Sequence, residues 1–208
     1  MPIYKTARNE RLEQFKILFQ FVLMSVCSLV IGAFLSNIFS EQYYTVAQNV
    51  VSTHFEKLFL GYSDLLECMR AVIRYSSFDI ICILAVFAVS FAVFNYAATD
   101  IILVVCGIKT GFSIAFLSEY VSNEALAYNL GVLRFTVYAV FKAALLLLLF
   151  TYSYRAAVYS LSLNRTTANG RWAVTFKKLL PFLALTLAYI GAVIITNGAY
   201  CWIIYMLK

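Results

Sequence analysis

The chain has 208 residues, 63% of them hydrophobic and 12% charged, with a mean hydropathy of +0.84. Soluble domains carry roughly 25% charged residues, and a chain with half that proportion cannot cover a globular surface with polar groups. Eight glycines and two prolines exclude collagen, and the apolar content excludes intrinsic disorder. What remains is an all-α, polytopic membrane helical bundle.

Sixteen bases against ten acids give a net charge of +6, unevenly spread. Glu124 is the last acid, and the eight bases after it mostly flank apolar runs. Phospholipid headgroups are their natural counter-ions. No aromatic and basic loop stands outside the apolar segments, so nucleic acid is not an expected partner. Cys27, Cys82, Cys106 and Cys201 lie within apolar runs, where thiols pack as small hydrophobes, and Cys68 sits in a polar stretch. There is no C-x-x-C and only one histidine, His54, so no metal or other cofactor is expected.

Five segments satisfy the requirement of about 20 helical residues for a span. Residues 1–16 form a basic tail, with Lys5, Arg8, Arg11 and Lys16, ahead of the first span, 17–39. That span exceeds a signal-peptide core and has no small-x-small cleavage site, so it reads as retained. In the following stretch, 40–77, Val51, Phe55, Leu58, Tyr62, Leu65, Met69 and Val72 recur at helical spacing. Glu56, Lys57, Ser63, Asp64, Glu67 and Arg70 lie off this stripe, which is too charged to span. It reads as a helix lying on the bilayer or bundle, or as a docking helix for an extracytoplasmic partner.

The second and third spans, 78–96 and 101–120, are joined by residues 97–100, where Thr99 or Asp100 is placed to cap the third helix. The fourth span is 130–152, followed by a basic connection, 153–178. The fifth, 179–206, opens with Pro181 in its first turn and is weakened late by Asn197-Gly198. The tail and the 153–178 connection together carry nine bases, which places both in the cytoplasm. The N-terminus is then inside, the C-terminus outside, and the sequon at Asn164 is cytoplasmic and inert. No internal repeat supports a two-halved transporter plan, although a homo-oligomer restores symmetry.

Three bases fall within spans. Lys109 and Lys142 sit near the middles of the third and fourth helices, and Arg134 near the outer end of the fourth, beside Glu119 and Glu124. For Arg134 an ion pair is the simple reading. For the lysines the alternatives are a buried pair or snorkelled ammonium groups, an ion or substrate path, and a partner's acidic residue. Gly107 and Gly111 make a G-x-x-x-G, which lets helix backbones approach closely. Gly32 with Ala33 offers a second small face, and Asn37 can hydrogen-bond across a helix interface. No nucleophile–base pair, Walker loop, HExxH or carboxylate dyad can be assembled, so no catalytic residue is expected.

Gly32-Ala33-Phe-Leu-Ser-Asn37 resembles the ending of the first helix in the stage II sporulation protein M family. Gly107 to Leu117 resembles that family's third-helix G-x-x-x-G-F pattern with a following F-L. Chain size, the amphipathic stretch after helix one, the short link between helices two and three and the long last helix also fit. Departures are Leu133-Arg134-Phe135 in place of a proline opening helix four, Thr196-Asn197-Gly198 in place of a glutamate, and Lys109 between the two glycines. The resemblance implies a non-catalytic scaffold in a bacterial cell membrane. It would recruit peptidoglycan-degrading enzymes, a lytic transglycosylase and a cell-wall amidase/endopeptidase, during engulfment in endospore formation. The alternative reading is a transporter or permease subunit that uses Lys109 and Lys142.

Overall fold

A computed structural model describes residues 2–42, 62–90, 95–123, 128–164 and 171–207. These form five helices: α1 (Pro2–Gln42), α2 (Leu65–Val89), α3 (Asn95–Asn123), α4 (Tyr128–Asn164) and α5 (Arg171–Met206). Each contains a stretch long and apolar enough to cross a bilayer, from Leu12–Ile38 in α1 to Leu179–Met206 in α5. The protein is an all-helical, multi-pass membrane protein. Its outer surface is apolar in the way a lipid-facing surface must be: Phe15, Ile73, Leu147, Leu180 and Ile195 are all more than 60% exposed.

Several boundaries differ from the sequence reading, each for a local reason. α2 begins at Leu65 and ends at Val89, whereas hydropathy placed this span at 78–96. Asp64 stands at its N-cap in an extended conformation (φ −134°, ψ 157°). The backbone N–H and hydroxyl of Ser63 donate to the Glu67 carboxylate at 3.0 and 2.8 Å, closing the first turn. The apolar stripe from 51 to 72 is therefore not one helix, because residues 62–64 are non-helical. At its other end α2 stops at Ser90, whose hydroxyl donates to the Val86 carbonyl at 2.6 Å.

α3 then starts at Asn95, so residues 97–100 lie in its opening turns and are no linker. Asp100 is not a cap but a buried group, its Oδ2 accepting from Gln20 Nε2 of α1 at 2.5 Å. α1 and α5 also run well past their spans into the basic segments. Helix α5 begins at Arg171, ten residues before Pro181, which consequently sits inside the helix instead of opening it. There the missing N–H of proline forfeits one helical hydrogen bond. Residues 153–164 and 171–178 of the basic connection are helical as well.

α1 packs chiefly against α3, and α2 against α5, with α4 touching all four others. The seam between α1 and α3 is made of small residues. Ser28, Gly32 and Ser36, four apart on α1, are all buried, as are Gly107 and Gly111 on α3. A Cβ added at Gly32 would lie 2.9 Å from the Cα of Ile108, and one at Gly111 2.9 Å from the carbonyl carbon of Leu29. Backbone meets backbone here, the geometry small residues permit in lipid. Ala33 is half-buried at the edge of the seam and Asn37 is exposed. The polar residue inside the seam at that level is Ser36.

Two apolar cores occupy the bundle. One gathers Phe21, Ile83, Val86, Leu103, Leu149 and Tyr152, extended by Phe182 stacked on Tyr159 at 4.3 Å between ring centroids. The other gathers Tyr62, Phe116, Leu117, Tyr138, Tyr200 and Ile204. Between them runs a polar layer. Asn197, whose place late in α5 suggested only a weak point, is 2% exposed and donates to Ser76 Oγ of α2 at 3.2 Å. Such an interhelical bond contributes about 0.6–1.7 kcal/mol in a membrane.

Candidate functional site

The same polar layer contains a cavity of about 310 Å³ between α2, α3, α4 and α5. Its walls bring together Arg74, Asp79, Lys109 and Lys142 with the hydroxyl residues Tyr75, Thr110, Ser113 and Tyr138. Antiparallel pairing of α2 with α3 sets the register. Lys109 Nζ lies 3.4 Å from the ring centroid of Phe78, and three to four residues deeper the thiols of Cys82 and Cys106 are 3.4 Å apart. α4 brings Lys142, one turn beyond Tyr138, to the same level. Its Nζ is 5.7 Å from the ring centroids of both Tyr75 and Tyr138.

Each lysine thus faces aromatic rings. Among the described residues, neither lies within ion-pair distance of a carboxylate, although Asp79 lines the same cavity. Cation–π contacts contribute about 0.5–2 kcal/mol each. Placing a lysine at mid-bilayer costs about 2.5–3.5 kcal/mol even on insertion scales, more than the single ring facing Lys109 returns. With three cations and one carboxylate on its walls, the cavity carries an excess of positive charge.

Lys109 and Lys142 were legible as intramembrane charges, and the structure brings them into one space. Asp79 and Arg74 were not. A span beginning at 78 puts Asp79 at a helix end and Arg74 outside; the helix that begins at Leu65 puts both within its length. Arg134 does not belong to the cavity. It is 3% exposed and its Nη2 donates to the Leu207 carbonyl at 2.6 Å, tying α4 to the end of α5. Glu124, one of the two acids expected beside it, lies outside the described residues.

Of the proposed docking stripe, Val51, Phe55 and Leu58 lie outside the described residues. Tyr62 is buried and its hydroxyl lies 3.7 Å from Cys201 Sγ, an enclosure that pushes its phenol well above the usual range. Leu65 and Met69 are exposed and Val72 half-buried. Cys68, which the sequence placed in a polar stretch, is buried against α5's Cys201 region. Among the described residues no group of three or more His, Cys, Asp or Glu is placed to hold a metal ion.

Comparison of the chain with protein-family models, with curated proteins and with solved structures finds no match. The resemblance to the stage II sporulation protein M family therefore rests on short motifs and general features of the sequence, and the glycines of those motifs, Gly32, Gly107 and Gly111, lie in the seam between α1 and α3.

Proposed function

We propose that this is a membrane transport or permease subunit that holds an anion at mid-bilayer between Lys109 and Lys142. The observation that carries the reading is the convergence of these two lysines, from different helices, on one cavity that Arg74 and four hydroxyl-bearing residues also line. A lysine held within an apolar span costs stability and is characteristic of substrate and ion pathways. Ser113 on the wall gives a direct test. In a chain whose native cysteines are replaced by alanine, the rate of Ser113→Cys with the anionic reagent methanethiosulfonate ethylsulfonate, relative to its trimethylammonium analogue, should be about tenfold higher than the same ratio for a free small thiol. Lys142→Gln should reduce that preference. A ratio no higher than that of the free thiol would remove the anion site, and reaction from only one side of the membrane would reduce the reading from transport to binding.

We also propose the orientation that the basic segments favour, with the N-terminus cytoplasmic and the C-terminus outside. Because Cys68 is buried, the informative positions are elsewhere. A cysteine introduced at the exposed Ser63 should label from outside intact cells, and one at Asn169 should not. The opposite pattern inverts the topology.

A second reading, recruitment of peptidoglycan-cutting enzymes, follows from the resemblance and from the exposed Leu65, Leu66 and Met69 beside the start of α2. Changing Leu65 and Met69 to serine should then lower crosslinking to a lytic transglycosylase or an amidase/endopeptidase at equal membrane abundance. Unchanged crosslinking leaves these side chains as lipid contacts.

A further inference from the structure

We infer that the ligand of this cavity is an amphipathic monoanion, a single-chain or aromatic carboxylic acid, and not an inorganic ion. The inference rests on the anion-site reading above and adds the chemical class. Polar and apolar walls are segregated along the bundle axis. On α2, Asp79 is followed one turn deeper by Ile83, and on α4 Lys142 is followed by Leu145 and Leu149. α3 runs the other way, as the Phe78–Lys109 and Cys82–Cys106 contacts fix, so Cys106 lies on the deep side of Lys109. Val193 of α5 completes an apolar floor that is continuous with the buried core. A small hydrated anion leaves that floor unused, whereas a carboxylate among the lysines places an apolar body against it.

Charge and volume narrow the class. Arg74 lies more than one turn from Asp79 along α2, at the end of the cavity away from the floor, whereas Lys109, although also exposed, sits at the level of Phe78 and Asp79. Asp79 faces Lys109 and Lys142, so the set at ligand depth has one positive charge in excess, matching a single carboxylate. The 310 Å³ volume lies at the bottom of the roughly 300–1,000 Å³ range of ligand pockets, too small for a two-chain phospholipid.

The test uses the full chain in nanodiscs of zwitterionic lipid, with labelled decanoate as the probe. Decanoate should bind saturably, while decanol and decyltrimethylammonium at equal concentration should not displace it. Leu149→Trp, which fills the floor, should weaken decanoate binding about tenfold and leave the charge preference at Ser113→Cys unchanged. Lys142→Gln should weaken decanoate binding by a similar factor, with Lys142→Arg retaining it. Should Leu149→Trp fail to give a monodisperse protein, Leu145→Phe tests the same floor. Displacement by decanol as effective as by decanoate itself would overturn the inference, since apolar partition alone then explains binding. Saturable binding of inorganic phosphate with none of decanoate would overturn the ligand class while the anion site stood. Loss of the charge preference at Ser113→Cys would instead overturn the site itself.

Discussion

Gly111→Val should destabilise the purified protein by about 3 kcal/mol, the upper end of the usual cost of overpacking a tight interface. The added Cβ would come within 2.9 Å of the Leu29 carbonyl carbon and 3.0 Å of its Cα, so the neighbour that must yield is backbone, not the flexible end of a side chain. α1 packs chiefly against α3, and separating the two removes most of what holds it to the bundle. Gly32→Val should behave alike, because its Cβ would meet the backbone of Ile108. Gly191 provides the control: nothing lies within 4 Å of its added Cβ. Gly191→Ala should be neutral or stabilising by up to about 1 kcal/mol through helix propensity. Thermal unfolding in one detergent compares the three variants. Equal stability of Gly111→Val and the native chain would mean that α1 is free to move away from α3.

How far the sequence carried depended on the range of the interaction involved. Five apolar runs were legible because a bilayer imposes a length and a composition on each helix separately. The seam of α1 and α3 was half legible: Gly107 and Gly111 stand out, and Ser28, Gly32 and Ser36 at four-residue spacing form the matching face. Gly32 and Ala33 are neighbours along the chain, but the buried face repeats every four residues and takes Gly32 and Ser36, leaving Ala33 half-buried at its edge. The cavity was less legible. Hydropathy averages over a window, and Arg70, Arg74 and Asp79 pushed the apparent start of the second span past the point where Ser63, Asp64 and Glu67 begin the helix. Asp79 was thereby assigned to an end. Nor does any local pattern tell that Lys109 and Lys142 face the same space, since that depends on how α3 and α4 rotate about their axes when packed. A period of 3.6 residues fixes which residues share a face, not which helix that face meets.

The sharpest consequence of the cavity is that Lys142→Leu should raise stability while abolishing the anion preference at Ser113→Cys. A lysine at mid-bilayer costs about 2.5–3.5 kcal/mol, and cation–π contacts with Tyr75 and Tyr138, at 5.7 Å, return less than the roughly 2 kcal/mol of a close, desolvated pair. Leucine carries no such cost and extends the apolar wall that Leu145, Leu146 and Leu149 already form on α4. The net expectation is a gain of about 1–2 kcal/mol in unfolding free energy, the direction seen where a functional group is held against stability. A structural lysine behaves oppositely. If Lys142 holds α4 to α2 through Tyr75, Lys142→Leu should lower stability, and Lys142→Arg should restore it by stacking on the same ring. Chemical denaturation of the three proteins in one detergent, alongside the two thiol reagents at Ser113→Cys, separates the cases. A gain in stability with loss of the preference marks the charge as serving a ligand. A loss of stability with the preference intact assigns Lys142 to packing and leaves Lys109 and Arg74 as the cations of the cavity.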